Sequence, residues 1–324
     1  MPTDNQKQDD KLTFEIFIQP GFSDLELASV LSVLRTANDV LNRDRFAWQL
    51  TSDTPGFVDS RSDMIARAEP TIGDQFLRDC LIVIAGPGNR HEGWLRRLRA
   101  MQKLQRRVLL LSDASREYIK AANLEDGSAT AHWRDAGLLR EVGNTPQLSD
   151  SLAQENGSIV TSSGEGFSVE AVIGVLASHL ESWQCAEIAS LLIVENVRGF
   201  SHPQPKGMSD NTNLFEKRLQ KVVQLMEQNV EAPLRLSDLA SQVGLSPRHL
   251  ERLFTVYLNT TPARFYKKIR LKKAHTLVTS THISLIEIAI ACGFLTAPTF
   301  SQAYKAEFGE TPTKVRRKKV GPAS

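Results

Sequence analysis

Two runs in the last third of the chain carry side chains that could recognise a polyanion. Arg248, His249, Arg252 and Thr255 fall on one helical face after Ser246-Pro247, and Thr296, Thr299, Gln302 and Lys305 fall on another after Leu295. Guanidinium, imidazole, amide, hydroxyl and ammonium groups on one face are the donors and acceptors that contact base edges and phosphates. A solvated helical bundle with no nucleic-acid role uses the same residue types, so the elements that carry them must decide. Other chemistry is poorly supplied. Cys80, Cys185 and Cys292 lie far apart, which excludes a CxxC zinc ribbon and a disulfide-dense secreted scaffold and suits a reduced cytoplasm. Neither a metal site nor a cofactor is expected.

The positioning elements are visible as a repeat. Leu236, Leu239, Ala240, Val243, Gly244 and Leu245 reappear 49 positions later as Leu285, Ile288, Ala289, Cys292, Gly293 and Phe294. Phe254 and Pro262 recur 50 positions later, as Tyr304 and Pro312, so the second copy holds one extra residue after its turn. Each copy predicts a short helix with an inward alanine, a glycine able to take positive φ, and a second helix, which is helix-turn-helix geometry. In the first copy Ser246 is the expected N-cap and Pro247 the first helical residue, with Leu250, Leu253, Phe254 and Tyr257 inward. In the second, Phe300 and Tyr304 face inward. A basic stretch, KKIRLKKAHTL with Lys272 in it, joins the copies.

Charge separates this region from the rest. Residues 1–210 carry 21 Lys+Arg against 29 Asp+Glu, a balance of −8, whereas residues 211–324 carry 18 against 8, or +10. An acidic module joined to a basic one assigns the polyanion to the second. The length, 324 residues, suits two domains rather than one core. With 41% hydrophobic and 23% charged residues, disorder and fibrous repeats are excluded as the main theme. No apolar run reaches the roughly 18 residues of a membrane span, and the polar start MPTDNQKQDDK has no apolar signal core. The expectation is therefore a cytoplasmic protein with no membrane partner.

The acidic half alternates short apolar runs, Phe14–Ile18, Trp48–Thr51, Cys80–Ala85 and Val108–Leu111, with helical patterns over Asp24–Leu41 and Trp94–Leu104. Further helices are expected over Gly164–Leu180 and Cys185–Val197. This alternation predicts a flavodoxin-like α/β sandwich around a mostly parallel sheet, followed by an all-α domain with two helix-turn-helix units. A site in such a sheet lies beyond the carboxyl ends of the strands. Gly86-Pro87-Gly88 after the third run is either a simple turn or a pair of backbone donors suited to a carboxylate. The Pro- and Gly-containing stretch from Arg198 to Asn213 reads as a linker. Expected domains are 11–198 and 214–319, with 199–213 between them.

Over about Leu214 to Lys319 the chain resembles the AraC/XylS family of transcription regulators, through LSDLASQVGLSPRHLERLF, TPARFYKKIRLKKAHTLV and IEIAIACGFLTAPTFSQAYKAEFGETP. Its departure is Leu295-Thr296-Ala297-Pro298, where relatives commonly have a serine-rich turn. The resemblance implies two reader helices in successive major grooves about one DNA turn apart. Arg248, Arg252 and Gln302 would then read bases, while Lys272 and its neighbours meet phosphates. Over about Lys11 to Arg198 the chain is similar to the ThiJ/PfpI branch of the class I glutamine amidotransferase-like fold, as found in GlxA-type regulators, through PGFSDLELASVLSVLRTAN, CLIVIAGPG, LLLSDASREY, LEDGSATAHW and IVTSSGEGFS. Catalytic relatives place a cysteine at the sharp turn after the strand matching Val108–Leu111. Counting back from Asp126-Gly127 puts Asp113 in that place, and no cysteine lies near it. Glu26 matches the family's acidic position, and His132 with Trp133 matches the segment after the turn.

Three functions compete. The leading one is a regulator in which a small-molecule effector on the first module, bound by Glu26, Gly86, Gly88, Asp113, His132 and Trp133, biases how a homodimer presents its readers to double-stranded DNA, with RNA polymerase as a further partner. The expected effector is a small cationic nitrogen metabolite, because two neighbouring carboxylates and an indole face attract a cation. The second is an amidase, protease or glyoxalase-like enzyme with an appended DNA-binding domain, against which the missing thiol speaks. The third is a constitutive architectural DNA binder.

Overall fold

The computed structural model describes residues 11–319 apart from 72, 74, 75, 88–91, 123, 126, 137, 138, 140–146, 206 and 211–215. The chain divides into two compact units, Met1–Gln204 and Pro205–Ser324.

The first unit is built on β1 (Leu12–Ile18), α1 (Asp24–Leu41), β2 (Phe46–Ser52), β3 (Gly56–Asp59), β4 (Ile65–Pro70), β5 (Cys80–Ile84), α2 (Glu92–Lys103), β6 (Arg107–Leu111), α3 (Ser112–Ala121), β7 (Ala153–Asn156), β8 (Ile159–Ser162), α4 (Ser168–Leu176) and α5 (Ser182–Leu191). The eight strands form one sheet in the order β3-β4-β2-β1-β5-β6-β8-β7. Pairings from β4 through β8 are parallel, and the edge pairs β3–β4 and β7–β8 are antiparallel. This is the expected α/β sandwich. Alternation along β1 sorts its side chains between two cores: Phe14, Ile16 and Ile18 pack with α1 and α4, while Phe17 packs with Trp94 and Leu98 of α2. Glu15 is the polar exception on the α2 side. Its buried carboxylate accepts from Arg97 Nε at 3.0 Å and from the Thr51 hydroxyl at 2.9 Å, so the charge is paired as burial requires.

Sequence patterning named the central strands and α1 but not the two edge hairpins or α3. The helix expected over Gly164–Leu180 is a 3₁₀ turn, Glu165–Phe167, followed by α4. The one expected over Cys185–Val197 is α5, which starts earlier and stops at Leu191 because Ile193 turns to φ 57°. Residues 199–204, expected as the start of the linker, belong to the first unit instead. Leu152 and Ala153 donate their N–H groups to His202 O at 2.8 Å and Phe200 O at 3.0 Å, and the Phe200 ring stacks edge-on to Phe167.

The second unit holds α6 (Lys217–Gln228), α7 (Leu236–Gln242), α8 (Pro247–Leu258), α9 (Pro262–Ser280), α10 (Leu285–Ala291), α11 (Ala297–Phe308) and α12 (Pro312–Lys319). The repeat appears as two helix-turn-helix units, α7–α8 and α10–α11, on either side of α9. Leu239, Ala240, Leu250 and Phe254 of the first and Ile288, Ala289, Phe300 and Tyr304 of the second meet in one core with Ala274 and Val278 of α9. Tyr257 was expected inward but is 54% exposed. Phe254 already fills that side of α8, and the following turn rotates Tyr257 and Val256 out.

Gly244 and Gly293 take φ 65° and 69°, as a left-handed turn requires. They differ in surroundings. A Cβ on Gly244 would meet open space, whereas one on Gly293 would lie 2.6 Å from the Val230 carbonyl oxygen. Gly293→Ala should therefore destabilise the second unit by about 2–4 kcal/mol, strain and backbone clash together, and Gly244→Ala by about 1–2 kcal/mol. Hydrogen exchange of α9–α11 in the full chain measures the difference; equal losses would contradict it.

Candidate functional site

The reader helices are defined by their starts. Ser246 caps α8, its hydroxyl accepting from His249 N at 3.2 Å, with Pro247 in the first turn. Thr296 caps α11 in the same way, accepting from Thr299 N at 3.3 Å. Arg248, Arg252 and Thr255 are exposed on α8, His249 is half-buried, and the Thr255 hydroxyl already donates to Glu251 O at 2.9 Å. Thr296, Thr299, Gln302 and Lys305 are exposed at α11, and the two threonine hydroxyls bond each other at 2.8 Å. Lys272 is exposed on α9. The structure thus places the expected DNA-facing residues along two capped helices and on the connecting helix. It presents arginines at α8 and uncharged groups at the start of α11.

A residue that the sequence did not single out as functional fixes the second turn. Arg270 of α9 donates from Nε to Cys292 O at 2.8 Å and from Nη2 to Gly293 O at 2.6 Å, and its guanidinium lies 4.3 Å from the centre of the Phe294 ring. These carbonyls end α10, where helix geometry leaves acceptors unpaired. Arg270 satisfies them from the neighbouring helix.

In the first unit the carboxyl ends of β1, β5 and β6 meet at one edge. An added Cβ on Gly21 would touch Pro87 at 3.4 Å and the backbone of Gly86 at 3.9 Å, so the loops after β1 and β5 are adjacent. Gly88 and Asp126 lie outside the described residues. At the end of β6 the strained residue is Ser112, with φ 26°, and not Asp113. Its hydroxyl donates to Glu26 Oε1. Ser112 therefore holds the sharp-turn position that counting along the sequence gave to Asp113, because only the backbone angle reveals which residue takes the bend. Asp113 sits in the first turn of α3, where the helix dipole favours a carboxylate, and pairs with Arg116 at 2.9 Å and more distantly with Arg61 at 3.9 Å. Arg61 also pairs with Glu165 at 2.6 Å.

Glu26 is buried, and among the described residues its Oε2 has no hydrogen-bond partner. Burial pushes its carboxyl up from 4.5 to about 8, against the Ser112 hydrogen bond that lowers it. Burial also raises Asp113, opposed by Arg116 and Arg61, and lowers the His132 imidazole. His132 sits against Gly164 and stacks on Trp133 at 5.5 Å, while Arg134 lies 5.2 Å from the indole centre. Gln204 holds this segment, donating to Thr130 Oγ1, Ala131 O and Ser151 O at 2.9–3.0 Å and accepting from Trp133 N at 3.0 Å. No sequence signal marks Gln204.

A cavity of about 350 Å³ lies elsewhere, at the amino ends of the strands, lined by Leu12, Asp79, Cys80, Arg107, Glu155 and His179 among others. Among the described residues no cluster of His, Cys, Asp and Glu could hold a metal ion, and no helix is long and apolar enough to cross a membrane.

Comparison with known proteins matches residues 239–318 to a helix-turn-helix domain family. Over 300 residues, 92% of this chain and 82% of the relative, the sequence is 29% identical to the HTH-type transcriptional regulator GbdR of Pseudomonas aeruginosa. Over 306 residues, 92% of this chain and 93% of the relative, it is 27% identical to the HTH-type transcriptional regulator GlxA of Rhizobium meliloti. A solved AraC family transcriptional regulator from Pseudomonas putida is similar in fold, with a TM-score of 0.50 and 17% identity over 56% of this chain and 99% of that one.

The Glu26 carboxyl sets a pH dependence. Its folded pKa lies above its unfolded one, so between about pH 4.5 and 8 the native state holds a proton the unfolded state has lost, and stability falls as pH rises through that window. Its contribution to the slope should approach about 1.4 kcal/mol per pH unit, so stability in Glu26→Gln should fall less steeply by that amount. All four tryptophans, Trp48, Trp94, Trp133 and Trp183, belong to the first unit, so denaturation followed by their fluorescence reads it in the full chain. An unchanged slope in the variant would show that Glu26 is ionised.

Proposed function

We propose that this chain, a DNA-binding transcription regulator of the AraC type related to GbdR and GlxA, reads double-stranded DNA with α8 and α11 under the control of a small molecule bound to its first unit. The observation that carries the reading is the pair of capped helices, each opening after a glycine turn, set on one core with their exposed faces free. Arg248, Arg252 and Gln302 contact bases; Lys272 and Lys305 neutralise phosphates. The protein acts as a homodimer and addresses RNA polymerase from the same basic unit.

The effector site is the edge formed by Ser112, Asp113, Arg61, Glu165, Gly86, His132 and Trp133, over the buried Glu26. The expected cationic nitrogen metabolite rests on the carboxylates of Glu26 and Asp113 and on the Trp133 indole face. Asp113 is paired with Arg116, Glu26 is neutral at pH 7, and Arg134 already lies by the indole. A small nitrogen metabolite carrying both charges can exchange with the Arg61–Glu165 ion pair, its anionic group toward Arg61 and its cationic group toward Glu165 and Asp113. The site is non-catalytic in this reading. The hydroxyl at the bend faces a carboxyl that is protonated at neutral pH and cannot take its proton, and burial pushes the Cys80 and Cys292 thiols up to about 12 and 11.

Two measurements test these roles. Arg252→Ala should cost about 1–3 kcal/mol of DNA binding and relax preference at one base, whereas Lys272→Ala should weaken all sequences alike and reduce the salt slope by about one. Calorimetry of the full chain against zwitterionic, cationic and anionic metabolites should show binding of the zwitterion that Arg61→Ala and Asp113→Asn both weaken. Binding untouched by these changes but lost in His179→Ala would move the effector to the cavity at the amino ends of the strands.

A further inference from the structure

The two helix-turn-helix units are not equivalent, and the difference has one address. The repeat keeps a spacing of 49 as far as Leu245 and Phe294, but the N-caps Ser246 and Thr296 are 50 apart. The extra residue is Leu295. Its side chain is 98% exposed, between the buried Phe294 and the N-cap of α11. Among the described residues of its own unit nothing covers it.

The position is nevertheless firmly held. Arg270 binds the two carbonyls just before it and lies by the Phe294 ring, and Gly293 backs onto the Val230 carbonyl with no room for a side chain. A leucine displayed in water from a turn fixed in this way is organised in advance for a partner rather than left over from packing. The exposed residues that follow it, Thr296, Pro298 and Thr299, carry no charge. The Thr296 and Thr299 hydroxyls bond each other, and both residues and Pro298 are exposed. The start of α8 offers Arg248 and Arg252 in the corresponding place. Base edges in the major groove differ in what such a surface can recognise: only thymine presents a methyl group there. Residues at the start of a reader helix are the ones that reach base edges.

We propose that Leu295 reads the C5-methyl groups of thymines in the major groove of the second half-site, making that half-site A·T-specific while α8 reads the first through arginine. This rests on the DNA-reading role given above for α11. Gln302, one and a half turns into the helix from Thr296, supplies the matching amide for adenine, whose N6 and N7 it can engage together.

The test begins with selection of binding duplexes from a random library by the full-length protein. If no sequence is enriched, the DNA-reading function itself fails, separately from this inference. With an enriched site in hand, thymines of each half-site are replaced by deoxyuridine, which differs only in lacking the methyl. Loss of one buried methyl should weaken binding about fourfold per contacted thymine in the second half-site and leave the first unaffected. Leu295→Ala should bind thymine and deoxyuridine duplexes equally, keep the wild-type salt slope because phosphate contacts remain, and select sites with a degenerate second half. The proposal is overturned if deoxyuridine is neutral in the second half-site, or if Leu295→Ala still discriminates against it. It is equally overturned if the variant binds every duplex as wild type does but fails to activate transcription, since the leucine would then face a protein.

Discussion

The guanidinium of Arg270 decides whether the second reader unit has a defined shape. Its bonds to Cys292 O and Gly293 O are charge-assisted, each worth about 1.5–3 kcal/mol, and its stacking on Phe294 ties the turn to the aromatic cluster of Phe300 and Tyr304. Lysine could not replace it, having no planar fork to span two successive carbonyls. Among the described residues no such clamp is seen at the first helix-turn-helix, α7–α8: Gly244 faces open space, and its turn is set by the Ser246 cap and the core contacts of Leu250 and Phe254. The element that bears Arg270 is also the spacer between readers. Nineteen residues of α9 make a rod of about 28 Å at 1.5 Å per residue, on the order of the roughly 34 Å that separates successive major-groove faces. One helix therefore both separates the two readers along the chain and fixes the turn of one of them.

In the first unit strain is concentrated where a ligand would meet the sheet. A serine at positive φ costs on the order of 1–3 kcal/mol, and a buried carboxyl with one unpartnered oxygen adds to it. Both are tolerated because the flanking strands β5, β6 and β8 are buried on both faces and cannot shift without opening two cores. The rigid parallel centre holds Ser112 and Glu26 in a configuration that neither residue prefers, and the ion pairs of Arg61, Asp113, Arg116 and Glu165 sit at the adjoining surface. A ligand that rearranged those pairs would act on a site already under load.

How much of this was legible follows from what periodicity can encode. The bounds of α1, Asp24–Leu41, could be read directly because eighteen residues of apolar spacing end at clear caps. The doubled helix-turn-helix was legible because two copies of one pattern confirm each other. The β3–β4 hairpin and β7 were not, since short edge strands such as AQEN carry too few apolar residues to alternate. The bend was misplaced by one residue, from Ser112 to Asp113, because sequence order does not show φ. Tyr257 looked like core and is exposed, and Leu295 passed for an ordinary departure from pattern, because a sequence gives the type of an apolar residue and not what surrounds it.

Tandem readers also constrain what an effector needs to do. In the proposed reading a single protomer with two helix starts on one spacer would address two successive grooves, and would not need a partner to complete a half-site. A homodimer would double that footprint, and the effector would then act on the relation between protomers rather than on the assembly of either reader, which Arg270 and the shared core keep fixed. Coupling energies of about 1–3 kcal/mol suffice for such control. That is comparable to the strain held at Ser112, so in the proposed reading a rearrangement at the end of β6 would be of the right size to act as a switch without touching the surfaces that read DNA.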